Sequence, residues 1–111
     1  MIVEEVINKL GFQHKAGKSF TKNNITGIYC CDMLSWVMSH AKQGNVWITV
    51  QTHINIVAIA SLLDLSCIII PENGEIDEDT IEKANEEDIL IFSTNLNSYE
   101  IFCKFYEIGL R

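Results

Sequence analysis

The chain has 111 residues, 48% of them hydrophobic and 21% charged, with 15 acidic side chains against 8 basic ones and a formal net charge of −7. That length supports one hydrophobic core, so residues 1–111 are expected to form a single domain, and the composition excludes a disordered chain. The longest apolar runs, Ile56–Ala60 and Cys67–Ile70, fall far short of the roughly 20 residues that span a bilayer.

Along the chain, Ile2 or Val3, Val6, Ile7 and Leu10 recur at helical spacing, and Gly11 ends that helix. Phe12 to Lys15 reads as a short strand, and Ala16 through Asn24 as a loop that forms the most basic patch. Ile25–Cys31, rich in β-branched and aromatic residues, predicts a strand ending at Asp32. A short helix then spans Met33 to His40, with Met33, Leu34, Val37 and Trp36 turned inward. Val46–Val50 is a strand, and Gln51 or Thr52 leads into a helix packed through Ile54, Val57, Ala58 and Leu62. Cys67–Ile70 reads as a fully buried strand closed by the turn Pro71–Gly74. Asp77 caps a helix to about Asn85, Ile89–Phe92 is another strand, and Asn95 or Asn97 opens the last helix. There Leu96, Tyr99, Ile101, Phe102, Phe105, Tyr106 and Ile108 are available to pack. Strands of continuous apolar residues alternating with helices predict a three-layer α/β/α sandwich around a mainly parallel sheet.

The charge is divided along the chain. Residues 1–70 set five lysines against Glu4, Glu5, Asp32 and Asp64, a net of +1; residues 71–111 set Lys83, Lys104 and Arg111 against eleven acids, a net of −8. Without clustered cations the chain is a poor partner for nucleic acid or an anionic membrane surface. Acids in the first five residues argue against a signal peptide, so the cytoplasm is the expected compartment. Cys30, Cys31, Cys67 and Cys103 form no CxxC pair and sit among apolar neighbours, as structural thiols do. With His14, His40 and His53 scattered, no metal site is expected. Trp36 and Trp47 read as core or interface aromatics. Gly17-Lys18-Ser19 matches the end of a phosphate-binding P-loop, yet position 12 holds Phe12 where that pattern needs glycine.

Ligands of open parallel sheets bind beyond the carboxyl ends of the strands. Those ends carry Asp32, then Gln51, Thr52, His53 and Asn55, then Glu72 and Asn73, then Ser93 and Thr94. Thr52-His53 and Ser93-Thr94 are expected at helix N-termini, where free amides attract anions or the side chains simply cap. His53 is a candidate general base beside Asp32, but no nucleophile in a recognisable elbow accompanies it.

Asn24–Leu34 resembles the signature stretch of DRTGG-type domains, and Ala41–Asn55 resembles the second hallmark of their small stand-alone members. Thr26 and Gly27 keep the motif core, whereas Asn24 or Ile25 stands at the arginine place and Ile28 at the second glycine. The family is similar to the amino-terminal domain of HPr kinase/phosphorylase, and larger relatives embed it in regulated pyrophosphatases. The resemblance implies an α/β/α sandwich, a bacterial cytoplasmic setting, a homodimer and no catalysis or cofactor.

Three functions follow as expectations. The first is a non-catalytic regulatory or ligand-sensing module, binding a nucleotide or small anion and acting on a partner enzyme or regulatory protein. The second is a structural interaction domain without a ligand, and the third a small phosphate-ester hydrolase using Asp32 and His53.

Overall fold

The computed structural model describes residues 2–18 and 24–110. Its elements run α1 (Val3–Leu10), β1 (Gln13–Ala16), β2 (Gly27–Cys30), α2 (Leu34–His40), β3 (Asn45–Ile48), α3 (Asn55–Leu63), β4 (Cys67–Ile70), α4 (Glu78–Glu87), β5 (Ile91–Ser93) and α5 (Ser98–Glu107). They build one five-stranded sheet in the order β1-β5-β4-β3-β2. β2 to β5 are parallel and β1 alone runs antiparallel, against β5.

The parallel strands follow one another across the sheet, so crossovers of one hand lay all their helices on one face. Val37 of α2, Ile56, Val57, Ile59 and Ala60 of α3 and Ala84 of α4 pack there against Trp47, Ile68, Ile70 and Ile91. The alternate strand residues Val46, Ile48, Cys67, Ile69 and Phe92 meet Val3 and Val6 of α1 and Ile101 and Phe105 of α5 on the other face. Both faces of the central strands are dry, which is why β4 reads as an unbroken apolar run. The three-layer α/β/α sandwich is the observed architecture.

Some helix faces differ from expectation. Met33 and Trp36 are exposed rather than turned inward, and α2 buries only Val37. In α3 the inward stripe is Ile56, Val57, Ile59 and Ala60, while Ala58 and Leu62 face solvent. A segment apolar almost all round carries no phase for a periodicity to detect. On α5, Tyr99, Phe102 and Tyr106 are left exposed and only Ile101 and Phe105 are buried. Cys67 alone of the thiols is buried; Cys30, on the edge strand β2, is exposed.

Other expectations hold with shifted ends. Asn97 caps α5 in a reciprocal capping box with Glu100. Asp77 occupies the N-cap of α4 without a side-chain bond. Trp47 is fully buried, its Nε1–H donating to the Cys31 carbonyl at 2.9 Å. Gly17-Lys18 is not a P-loop. Its main-chain N–H groups donate to Asn85 Oδ1 at 2.9 Å and Asp88 Oδ1 at 2.6 Å, tying it to the end of α4. Gly17 has φ +83°, and a Cβ there would lie 2.6 Å from the Ile89 carbonyl oxygen, so only glycine fits. The rest of the basic loop, residues 19–23, lies outside the described residues.

Candidate functional site

The polar residues expected at the strand ends are divided among three places. At the ends of β2 and β3, Asp32 Oδ1 accepts from the Thr49 hydroxyl at 2.8 Å and the Val50 N–H at 2.9 Å. Gln51 Nε2 donates to the Asp32 carbonyl at 3.1 Å, and the Gln51 N–H to Thr49 Oγ1 at 3.2 Å. Thr49 is fully buried and completes this knot, though its place in the apolar strand Val46–Val50 concealed it. Asp32 is therefore spent on closing a loop. No hydrogen bond joins it to His53, whose exposed ring accepts the Asn55 N–H through Nδ1 at 3.3 Å.

In the middle, the Thr52 carbonyl accepts from the buried Thr80 hydroxyl at 2.8 Å. Thr52 and His53 precede α3, which opens at Asn55 from an Ile54 N-cap with no side-chain bond. Ser93 and Thr94, by contrast, are not at a helix N-terminus, because α5 begins only at Ser98. Ser93 ends β5, and Thr94 fixes the following loop by accepting the Leu96 N–H through Oγ1 at 3.2 Å.

The third place is a hollow of about 490 Å³ lined by Gln13, Lys15, Asn73, Gly74, Glu75, Ile76, Ile81 and Ser93. After β4 the chain crosses by α4 to one face, and after β5 it turns by α5 to the other. The two connections diverge here, as at a topological switch point. The antiparallel strand β1 forms the remaining wall, with Gln13 opposite Ser93. The register slips between His14 and Ala16, so Lys15 is the extra residue of a bulge, a device that re-aims a side chain. Glu72 and Asn73, at φ +57° and +53°, turn the Pro71–Gly74 loop over this end. Main-chain bonds from Glu72 to the Leu96 carbonyl and from Asn73 to the Thr94 carbonyl, both 2.9 Å, hold that uncommon conformation. Gln13 and Lys15 were not legible as site residues, because pairing β1 with β5 joins segments nearly 80 residues apart.

Thr26 and Gly27 lie at the opposite end of the sheet. The Thr26 hydroxyl donates to the Gln43 carbonyl at 2.8 Å and accepts from Asn45 Nδ2 at 3.3 Å, and its N–H donates to the Gly44 carbonyl at 3.0 Å. This motif core clamps the turn before β3. The Cys30 thiol, on an exposed residue, is pushed above its ordinary pKa chiefly by partial desolvation of the group, with a hydrogen bond to Ser98 opposing the rise and Asp32 and Cys31 adding to it. Such a thiol is not an activated nucleophile. Among the described residues no three His, Cys, Asp or Glu side chains gather as a metal site.

No family model matches the chain, and no curated protein matches it. Among solved structures it is similar to the CBS and DRTGG domains of the regulatory region of Clostridium perfringens pyrophosphatase, complexed with the activator diadenosine tetraphosphate. The TM-score is 0.74 at 16% identity, over 91% of this chain and 44% of that one. The chain thus spans less than half the length of that structure. At this identity the likeness is one of fold alone. Among the described residues no helix is long and apolar enough to cross a membrane.

Proposed function

We propose that this chain is a single, non-catalytic DRTGG-like domain of the bacterial cytoplasm that senses a phosphate-bearing ligand in the hollow above Ser93 and works as a homodimer or on a partner enzyme. The relation to the amino-terminal domain of HPr kinase/phosphorylase belongs to the same reading and rests on the sequence resemblance. The observation that carries the proposal is the lining of the hollow. Lys15 supplies a cation, Gln13, Asn73 and Ser93 supply neutral polar groups, and Ile76 and Ile81 supply an apolar wall. Its volume lies in the range of small-molecule sites. Glu75 on the same rim repels a bare anion but accepts from a hydroxyl or amino group, which favours a nucleotide over inorganic phosphate. The fold shared with an activator-bound regulatory region supports the reading.

A thermal-shift series tests it, with inorganic phosphate, pyrophosphate, mono-, di- and triphosphate nucleosides and dinucleoside polyphosphates as probes. At 100 times its dissociation constant a specific ligand adds about 2.7 kcal/mol, several degrees for a domain of this size. A saturable shift by a nucleotide that Lys15→Ala and Ser93→Ala both weaken is expected. A shift that neither substitution alters would place the ligand elsewhere, and no shift from any probe would favour the interaction-domain reading.

A further inference from the structure

We infer that the outer edge of β2, with the aromatic side chains flanking it on α2 and α5, is the face on which a second copy of this chain docks. The inference deepens the proposed homodimer by locating its interface, and it rests on that part of the proposed function.

β2 ends the sheet, and only β3 pairs with it among the described residues. The Cys31 N–H bonds in register to the Ile48 carbonyl of β3, so by the alternation of a parallel ladder the N–H and C=O groups of Ile28 and Cys30 point away from the sheet. An uncovered edge of this kind is a template for another strand. No lysine, proline or acid interrupts Gly27–Cys30 to blunt it.

On one side of this edge an apolar groove of about 680 Å³ is lined by Gly27, Ile28, Phe102, Cys103, Tyr106 and Leu110 together with Glu107. Tyr99, Phe102 and Tyr106 form an outward stripe at helical spacing on α5, beside the buried Ile101 and Phe105. On the other side, Leu34 and Met38 face α3 across a shallow groove. Trp36, on the far flank of α2, therefore stands on the β2 side, stacked on His40 with ring centroids 4.0 Å apart.

Area argues for a second copy as occupant. Tyr99, Tyr106, Trp36 and Phe102 are 76%, 59%, 51% and 38% exposed. At roughly 200 Å² per aromatic side chain they present about 450 Å², more than half of the about 800 Å² that each partner of a stable complex buries. The β2 backbone, Ile28, Met33 and Leu110 extend the same surface. A free edge paired antiparallel with its own copy is isologous, so both copies bury the same strand and both aromatic flanks at once. Each copy carries −7, so charge opposes the association and apolar area drives it.

Sedimentation velocity on the full chain from about 1 to 200 μM tests the inference. Dimer formation is expected, tighter at high than at low ionic strength because salt screens the like charges. Trp36→Lys and Phe102→Lys are each expected to weaken it about tenfold, as loss of an interface aromatic does. Leu62→Lys, at a 69% exposed site on the α3 flank, should leave it unchanged. Circular dichroism confirms that each variant is folded. A wild-type monomer at every concentration would overturn both the dimer and its face. A dimer weakened by Leu62→Lys, but by neither Trp36→Lys nor Phe102→Lys, would overturn the face and leave the homodimer standing. Ligand binding, read by thermal shift, is independent of either outcome.

Discussion

The two ends of the sheet use the same kinds of residue to different ends. At the amino ends of the parallel strands a hollow of about 270 Å³ is bordered by Asn24, Thr26, Gln43, Gly44, Asp64, Leu65 and Ser66. Its polar groups are consumed by one another. The Ser66 hydroxyl meets the Gly44 carbonyl at 2.7 Å and the Asn24 carbonyl at 2.9 Å, Gln43 Nε2 donates to Asp64 Oδ2 at 2.9 Å, and Thr26 clamps Gln43 and Gly44. At the carboxyl ends of β4 and β5 it is mainly the backbone that ties the loops together, while Gln13, Lys15, Asn73 and Ser93 line the hollow. Polar residues mark a binding site only where main-chain bonds already do the structural work. The motif core Thr26-Gly27 is thus a clamp, and the nearer candidate for recognition is a bulged lysine outside any motif.

The sharpest way to break this contrast is Gly44→Ala. Gly44 has φ +82°, and a Cβ would lie 2.6 Å from Thr26 Cγ2 and 2.8 Å from its Oγ1. The left-handed penalty and the overpacking together cost about 3 kcal/mol, a fall of roughly 10 °C in melting temperature. A variant that melts with the wild type would show that the clamp is loose.

The next effect reads how dry the amino end is. Burial pushes the Cys67 thiol from its ordinary value near 9 up to about 12. The folded state then holds that proton while the unfolded chain releases it, so its stability contribution is intact below pH 9 and is lost progressively between about 9 and 12. Denaturant titrations should show about 2 kcal/mol lost between pH 9 and 10.5, and a shallower slope in Cys67→Ala. Equal slopes would mean that solvent reaches β4.

Thr26→Val keeps the shape and removes the hydroxyl, and should cost about 1 kcal/mol in urea unfolding while leaving nucleotide affinity alone. Reduced affinity would return the motif core to the binding site. The smallest change in stability is expected for Lys15→Ala, within about 0.5 kcal/mol as for other exposed sites, with phosphate-ligand affinity down about tenfold by calorimetry. A large loss of stability would make the second hollow structural like the first.

Hydrophobic patterning alone determined the number, type and order of the elements, because alternating apolar strands and amphipathic helices are local signals. Asn97 as the α5 cap was one of two legible choices, decided by Glu100 three residues on. The faces of α2 and α3 were not legible, since Met33, Trp36 and Leu62 are as apolar as the residues buried in their place. Nor was the fate of the polar strand ends. Whether Asp32 serves a ligand or a loop depends on where Thr49 and Val50 come to rest, and Lys15 reaches the strand ends only through a bulge against β5. Sequence carries what neighbours along the chain decide. Register, bulges and long-range pairing are settled by which backbone groups find partners once the sheet closes, and here they select the residues that line the hollow.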